Sequence, residues 1–339
     1  MTHQELEKIT GKKKREDIQL FVVTHKKLPY DLPDNSLYTP IQVGDSKETL
    51  SPIRDNTGDN ISEKNQLYAE LTAVYWIYKN YVLPNPNLKY VGHMQYRRQL
   101  MFDEHYDFDA LFNKYDAIVP MPIAFTNTLK EQYENCHSKK EFPVLKQAIE
   151  ENFPEYSKAY EEIMENGHIM INSNGWIMKR NDYIAYCEFL FKIGNALEDK
   201  LNVHTAREAR EKAFWDIVRG ERRNCNNKGE AEVPMGTVRD IMDEWARLDP
   251  DGYEEWCRNP YTLFEMNENT VEMNNYTQSG QAGQPYAEIV RQKVNGLIDK
   301  VLYQSQLIVF LEERLLFFYL SVNKYSLFLY NYTKPEPCF

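Results

Sequence analysis

The chain has 339 residues, 42% of them hydrophobic and 13% aromatic, which is enough apolar material for one large domain or two ordinary ones and too much for a disordered chain. With 14 glycines and 16 prolines it is neither collagen-like nor linker-like. A net charge of −11 repels phosphates at long range, which argues against a nucleic-acid partner or a membrane held by the global field; any phosphate must be gripped locally.

Residues 1–16 carry a Lys12-Lys13-Lys14-Arg15 cluster and read as a flexible basic terminus without the apolar core of a signal peptide. Ile18 to Thr24 is a β-branched and aromatic run expected as a buried strand, ending on His25, Lys26 and Lys27. Pro29, Pro33, Pro40 and the stretch Asp55 to Asn60 then mark a long loop. A helix is expected from about Glu63 to Tyr81, because Leu67, Leu71, Val74, Tyr75 and Tyr78 recur at three- and four-residue steps before Pro84 and Pro86 stop it.

Tyr90 to Met94 reads as the next strand and runs directly into Gln95, Tyr96, Arg97 and Arg98. Ala117 to Val119 and Ile169 to Ile171 are further strand candidates, and Asp182 to Leu197 is an amphipathic helix. This alternation predicts an α/β fold with a mainly parallel central sheet flanked by helices. Between 199 and 285 charge density rises and strand signals vanish, which predicts a helical or loop insertion within a single domain spanning 17–339. Tyr286 to Tyr330 closes the chain as a long helical segment. Its most apolar tract, Leu307 to Leu320, is interrupted by Glu312, Glu313 and Arg314 and cannot span a bilayer. Cys136, Cys187, Cys225, Cys257 and Cys338 form no C-x-x-C pair, which fits a reducing, cytoplasmic compartment.

Open α/β sheets bind ligands at the carboxyl ends of their strands, which singles out His25 and Lys26, Gln95 to Arg98, and Asn172 to Asn174. Arg97-Arg98 is the best local anion site, because a guanidinium offers a planar fork to two phosphate oxygens; adjacent arginines also serve as surface salt bridges. Asp107-Phe108-Asp109 has the Asp-x-Asp spacing that holds Mg²⁺ or Mn²⁺ under a leaving diphosphate. The same residues fit a helix cap ahead of Ala110 to Tyr115. Asp249 and Asp251 flank Pro250 and read as a turn. No histidine and cysteine spacing supports zinc, and the sequence lacks G-x-S-x-G, Walker and G-x-G-x-x-G loops.

Val23-Thr24-His25-Lys26, Tyr38 to Gly44, Asp55 to Asn65, Tyr68 with Glu70 to Ala73, Tyr75-Trp76 and Tyr96-Arg97-Arg98 occur in one order. Glu131-Gln132-Tyr133 with His137, Asn172-Ser173-Asn174, Ile177-Met178-Lys179 and Glu313-Arg314-Leu315-Leu316 continue the series. It resembles the bacterial capsular and exopolysaccharide glycosyltransferases long catalogued as a domain of unknown function, over about Asp17 to Leu197 and again from Leu307.

The resemblance implies a GT-A-like, Rossmann-related transferase. Such an enzyme moves a sugar from a nucleotide donor, UDP-linked, onto a growing capsular, exopolysaccharide or O-antigen glycan or a lipid-linked oligosaccharide at the inner face of the cytoplasmic membrane. It puts His25 and Lys26 at the nucleotide base, Asn65, Tyr68 and Glu70 on a helix facing the donor sugar, and Asp59 and Asn60 in the same cleft. Gln95, Tyr96, Arg97, Arg98, Asn172 and Asn174 complete the nucleotide-sugar site, with Asp59 and Glu313 as the catalytic carboxylates. The family motif reads His-Tyr-Arg-Arg where other GT-A enzymes carry Asp-x-Asp, so the arginines would offset diphosphate charge with Mg²⁺ or Mn²⁺ or without metal.

In this chain Gln95 stands in place of the motif histidine and cannot titrate near neutral pH. His93, on the same strand face, either packs or hydrogen-bonds within its strand or substitutes in part for the motif histidine. That departure keeps a second reading open, a non-catalytic glycan-binding or assembly protein on a degenerate glycosyltransferase fold. The aromatic tail Leu315 to Tyr330 either packs the core or, with the basic N-terminus, rests peripherally on the membrane face.

Overall fold

The computed structural model describes residues 1–32, 36–44, 48–98, 100–135, 137–171, 174–205 and 314–330, with positions 208, 209, 212, 216, 243, 246, 247 and 250 between them. The chain divides into two compact units, Met1–Gln132 with Phe142–Ala206 and Gln306–Phe339, and Tyr133–Glu141 with Arg207–Ser305. Most of the insertion expected over 199–285 lies outside the described residues.

In the first unit, β1 (Ile18–Thr24), β2 (Tyr38–Gln42), β3 (Tyr90–Gln95), β4 (Ala117–Pro120), β5 (Ile123–Ala124), β6 (Ile169–Met170), β7 (Trp176–Lys179) and β8 (Leu327–Tyr330) follow in chain order. Six of them form one sheet in the order β2-β1-β3-β7-β4-β8, and β5 pairs with β6. β1 is parallel to β2 and β3, and β4 is parallel to β8, while β7 runs antiparallel to both its neighbours. This is the α/β, mainly parallel sheet with flanking helices that the sequence predicts.

All seven residues of β1 are buried, as its uninterrupted apolar run requires of a strand covered on both faces. β2 falls where the prolines predict a loop. Pro40 is tolerated there because β2 is an edge strand, where a missing N–H leaves no neighbour unpaired. Ile169–Met170 is a correction of another kind: this run joins the β5–β6 ribbon rather than the central sheet, whose strand here is Trp176–Lys179. In the C-terminal segment the described part is a helix, Leu315–Val322, followed by β8 rather than by more helix.

The β3–β7 contact is close. Gly92 sits opposite Ile177, and a Cβ on it would stand 2.6 Å from the Trp176 carbonyl oxygen. The helix Arg180–Leu201 covers this region with Tyr183, Tyr186, Cys187, Leu190 and Gly194 on its buried face. Tyr186 and Phe189 of that helix pack against Tyr319 of Leu315–Val322 at ring-centroid distances of 5.1 and 4.9 Å. Tyr68, Tyr81, Tyr160, Tyr183 and Tyr186 are fully buried, so much of the tyrosine excess fills the core.

The N-terminus differs from its reading as frayed. His3–Thr10 is a helix with a reciprocal Thr2/Glu5 capping box and a left-handed Gly11 at its end. Leu6 is buried, and the terminal ammonium donates to the Asn80 carbonyl at 2.5 Å.

The expected helix over 63–81 is broken. Ser62–Lys64 is a 3₁₀ turn, Asn65–Tyr68 a short α turn, Leu71–Trp76 an α-helix and Ile77–Val82 a π-helical turn. Between the α segments Ala69 takes φ 48° and ψ −125°, a conformation that residues with a Cβ rarely adopt.

Candidate functional site

β1 and β3 lie side by side with Val23 opposite Gln95, so both strands deliver their following residues to the same sheet edge. The Tyr96 N–H donates to the Val23 carbonyl at 3.0 Å and carries the pairing one residue beyond β3. After β1, the Thr24 hydroxyl donates to the Lys26 carbonyl and fixes the turn.

The buried Tyr96 ring is the meeting point. The His25 ring meets it edge-on at 5.1 Å, and the Lys26 ammonium and Arg97 guanidinium lie 5.9 and 5.1 Å from its centroid. The Lys26 and Arg97 side chains are exposed, so their charges are available to a ligand. Partial burial first, then the Lys26 and Arg97 charges, push the His25 imidazole below its ordinary value. It is therefore neutral at pH 7, and Lys26 and Arg97 supply the positive potential. The Arg98 N–H returns to the Gln95 carbonyl at 3.0 Å and closes the turn that follows β3.

A second group of residues adjoins the first through Gln95. Its Nε2 donates to Glu70 Oε1, and Asn174 Nδ2, on the run-in to β7, donates to the same oxygen at 3.0 Å. Asn174 is buried and Glu70 half-buried. Among the described residues Glu70 Oε2 accepts no hydrogen bond. Glu70 follows the Ala69 outlier, whose conformation costs about 1–3 kcal/mol. Asn65 holds that outlier in place: its Nδ2 donates to the Ala69 carbonyl at 2.7 Å and to Thr72 Oγ1 at 3.0 Å. The Thr72 hydroxyl reaches the buried Asp55 carboxylate at 2.6 Å.

Other predicted site residues stand apart from these two groups. Tyr68 is buried, and its hydroxyl donates to Glu198 at 2.6 Å. Lys64 pairs with the same carboxylate at 2.6 Å, fastening this turn to Arg180–Leu201. Asp59 is exposed and accepts the Tyr75 hydroxyl at 3.0 Å, and the Asn60 side chain takes the Ser62 N–H and hydroxyl. Asn172 and Glu313 lie outside the described residues.

His93 cannot take over the motif histidine's role. It is fully buried, its ring lies 4.0 Å from that of Trp176, and neither nitrogen makes a hydrogen bond of standard geometry. Burial holds its pKa down to about 3, with the Asn174 main chain working against the shift.

The Asp-x-Asp pair is also occupied. Asp107 is the N-cap of Phe108–Phe112, accepting the Ala110 N–H at 2.9 Å. Asp109 takes Lys89 at 2.8 Å and the Tyr90 hydroxyl at 2.6 Å, which lower its pKa. Tyr90 begins β3, so this pair sits at the opposite end of the strand from Gln95. Among the described residues no group of three or more histidine, cysteine or acidic side chains is arranged to hold a metal ion.

An open groove of about 1020 Å³ runs along Lys12 to Glu16 and Glu104 to Asp107, also away from the strand ends. There Arg15 is taken up by Asp17 and by the Glu104 and Tyr106 carbonyls, and Lys14 by the Tyr38 carbonyl. No helix among the described residues is long and apolar enough to cross a membrane.

Glu198 escaped the sequence reading. Its signal was available: with Leu190 and Gly194 it forms a four-residue series on the buried face of its helix.

The fold is a mixed α/β sheet with cationic and amide side chains gathered at the ends of β1 and β3, the edge at which open α/β sheets bind ligands. The chain belongs to the family described as Domain of unknown function (DUF4422), whose model matches residues 19–215. The apo structure of WbbM, a bifunctional glycosyltransferase, is similar at 25% identity over 54% of this chain, with a TM-score of 0.46. The match covers 37% of that chain, so the protein spans well under half of WbbM's length. No curated protein matches the chain.

Proposed function

We propose that the protein is a glycosyltransferase. It takes a sugar from a nucleotide donor, UDP-linked, and passes it to the hydroxyl of a surface-glycan acceptor of capsular, exopolysaccharide or O-antigen type. The observation that carries this reading is the convergence of Lys26 and Arg97 on Tyr96 where β1 and β3 end. In a chain of net charge −11, exposed cations collected at the ligand-binding edge of an α/β sheet fit a diphosphate better than a surface salt bridge. The ordered motif series also supports it, since it includes these residues and carries the resemblance to nucleotide-sugar transferases.

In this reading Arg97 and Lys26, with Arg98 beside them, bind the diphosphate. As the bond from the anomeric carbon to the phosphate oxygen breaks, its electron pair moves to that oxygen, and the cations stabilise the charge that develops. Neutral His25 and the Tyr96 ring stand where the nucleotide base would lie. Glu313, carried by the motif resemblance alone, is the proposed base for the acceptor hydroxyl. Asp59, bonded to Tyr75, joins neither group of site residues.

The test is UDP release from a panel of UDP-sugars, with glycan and lipid-linked acceptors, in the presence and absence of EDTA. Turnover with one donor supports the reading, and the EDTA arm shows whether Mg²⁺ or Mn²⁺ takes part. Absence of both binding and turnover with every nucleotide sugar refutes it.

A further inference from the structure

We infer that Glu70 reads the donor sugar, its Oε2 accepting hydrogen bonds from the hydroxyls of a hexose, and that Gln95 and Asn174 are positioning residues for that carboxylate. This rests on the donor-site reading above, in which the resemblance sets Glu70 toward the donor sugar, and adds the oxygen that would meet the sugar and the side chains that fix the carboxylate.

The first support is the asymmetry of the carboxylate. Gln95 Nε2 and Asn174 Nδ2 both donate to Oε1, so turning the side chain breaks both bonds at once. Oε2 accepts nothing among the described residues, although a half-buried carboxylate oxygen left without a donor is costly once a ligand excludes water. A carboxylate is an acceptor only. It repels phosphate and attracts hydroxyl protons, so beside Lys26 and Arg97 it divides the edge into a part for the diphosphate and a part for the uncharged sugar.

The second support is the backbone. Ala69, immediately before Glu70, is held in its rare conformation by Asn65, which also contacts Thr72, itself bonded to Asp55. Strained conformations persist where the surroundings over-determine them, and they gather at ligand clamps. Here the effect is to end one helical turn and present Glu70 at the start of the next. Connectivity is the third support: Gln95, which grips Glu70, stands just ahead of Tyr96 and Arg97 in the chain, and in a sugar nucleotide the sugar hangs directly from the diphosphate.

Gln95 then has its own logic. A carboxamide donates to Glu70 at every pH, whereas an imidazole there would gain a full charge on protonation and turn the contact into an ion pair. The other ionisable groups at this edge are His25, Lys26, Arg97 and Arg98, with His93 neutral beneath it.

Calorimetric titration of the full chain with UDP and with a panel of UDP-hexoses tests the inference in wild type, Glu70→Gln and Gln95→His. Wild type is expected to bind its UDP-hexose at least tenfold more tightly than UDP. Glu70→Gln should lose most of that preference while holding UDP within about twofold, which also shows that the variant is folded. Gln95→His should keep UDP binding and make the affinity for the UDP-hexose change more between pH 5.5 and 8 than it does in wild type. An unchanged hexose preference in Glu70→Gln overturns the inference with the donor-site reading intact. A wild-type preference abolished by EDTA assigns Oε2 to a metal ion and overturns it as well. Absence of UDP binding by the wild-type chain removes the donor-site reading and this inference with it.

Discussion

His93→Gln gives the sharpest test of the packing beneath the site. The imidazole is fully buried between β3 and β7 against Trp176 and Tyr183, and burial lowers its pKa from 6.5 to about 3. Unfolding returns it to water and to its ordinary value. Between those two values the unfolded chain binds the proton and the folded chain does not, so acid favours unfolding. The neutral-imidazole contribution is fully present above pH 6.5 and is lost progressively as pH falls toward 3. Each pKa unit is worth about 1.4 kcal/mol, so at a pH two units below 6.5 the protein has lost about 2.7 kcal/mol through this residue alone. Urea unfolding of wild type and His93→Gln at pH 7.5 and at that lower pH measures it. Glutamine does not titrate, so the wild-type stability should fall by roughly 2–3 kcal/mol more than the variant's between the two conditions. Parallel losses in the two proteins would refute the reasoning, because they would mean that the imidazole is protonated, or reached by water, in the folded chain.

Arg97→Ala should weaken UDP binding by roughly 1.5–3 kcal/mol, the value of a charge-assisted hydrogen bond; an unchanged dissociation constant would move the phosphate site elsewhere. Gly92→Ala places a methyl group 2.6 Å from the Trp176 carbonyl oxygen and should cost about 1–3 kcal/mol in urea unfolding. A neutral effect would mean that β3 and β7 are less closely apposed. Ala69→Gly removes the Cβ from a position at φ 48° and should stabilise by about 0.5–1 kcal/mol; a lower urea midpoint would show that Ala69 carries no strain.

The strand β1 and the helix Arg180–Leu201 were legible because each writes its burial into an unbroken local pattern, an apolar run or a series of three- and four-residue steps, and β3 because Tyr90-Val91 and Met94 frame a short run between Pro86 and the polar Gln95 to Arg98. From them the strand-end rule brought His25, Lys26, Gln95 and Arg97 to one edge. β2 was hidden by Pro40, which marks a loop unless the strand's place at the sheet edge is already known. β8 was hidden because Leu327 to Tyr330 is apolar in every residue, and a short unbroken apolar run has no period to separate strand from helix. The break at Ala69 was invisible for a different reason. The apolar spacing continues across it, and the Asn65 side chain that captures the Ala69 carbonyl looks like any helix residue in sequence. Glu70 and Asn174 were each named as site residues, but their bond joins positions 104 apart and exists only in the fold.

Among the described strands of the central sheet, β7 alone runs against the others. Residues ahead of a parallel strand emerge on the far side of the sheet from those behind it; reversing one strand puts its leading residues on the near rim. Pro120 leaves β4 beside the point where Trp176 opens β7, so residues 121–175 form an excursion that departs from and returns to the rim holding Lys26, Gln95 and Arg97. On the proposed reading, changes within residues 121–171 would alter what that excursion offers an acceptor while leaving Lys26, Gln95 and Arg97 in place, with Asn174 at its end kept as the partner of Glu70.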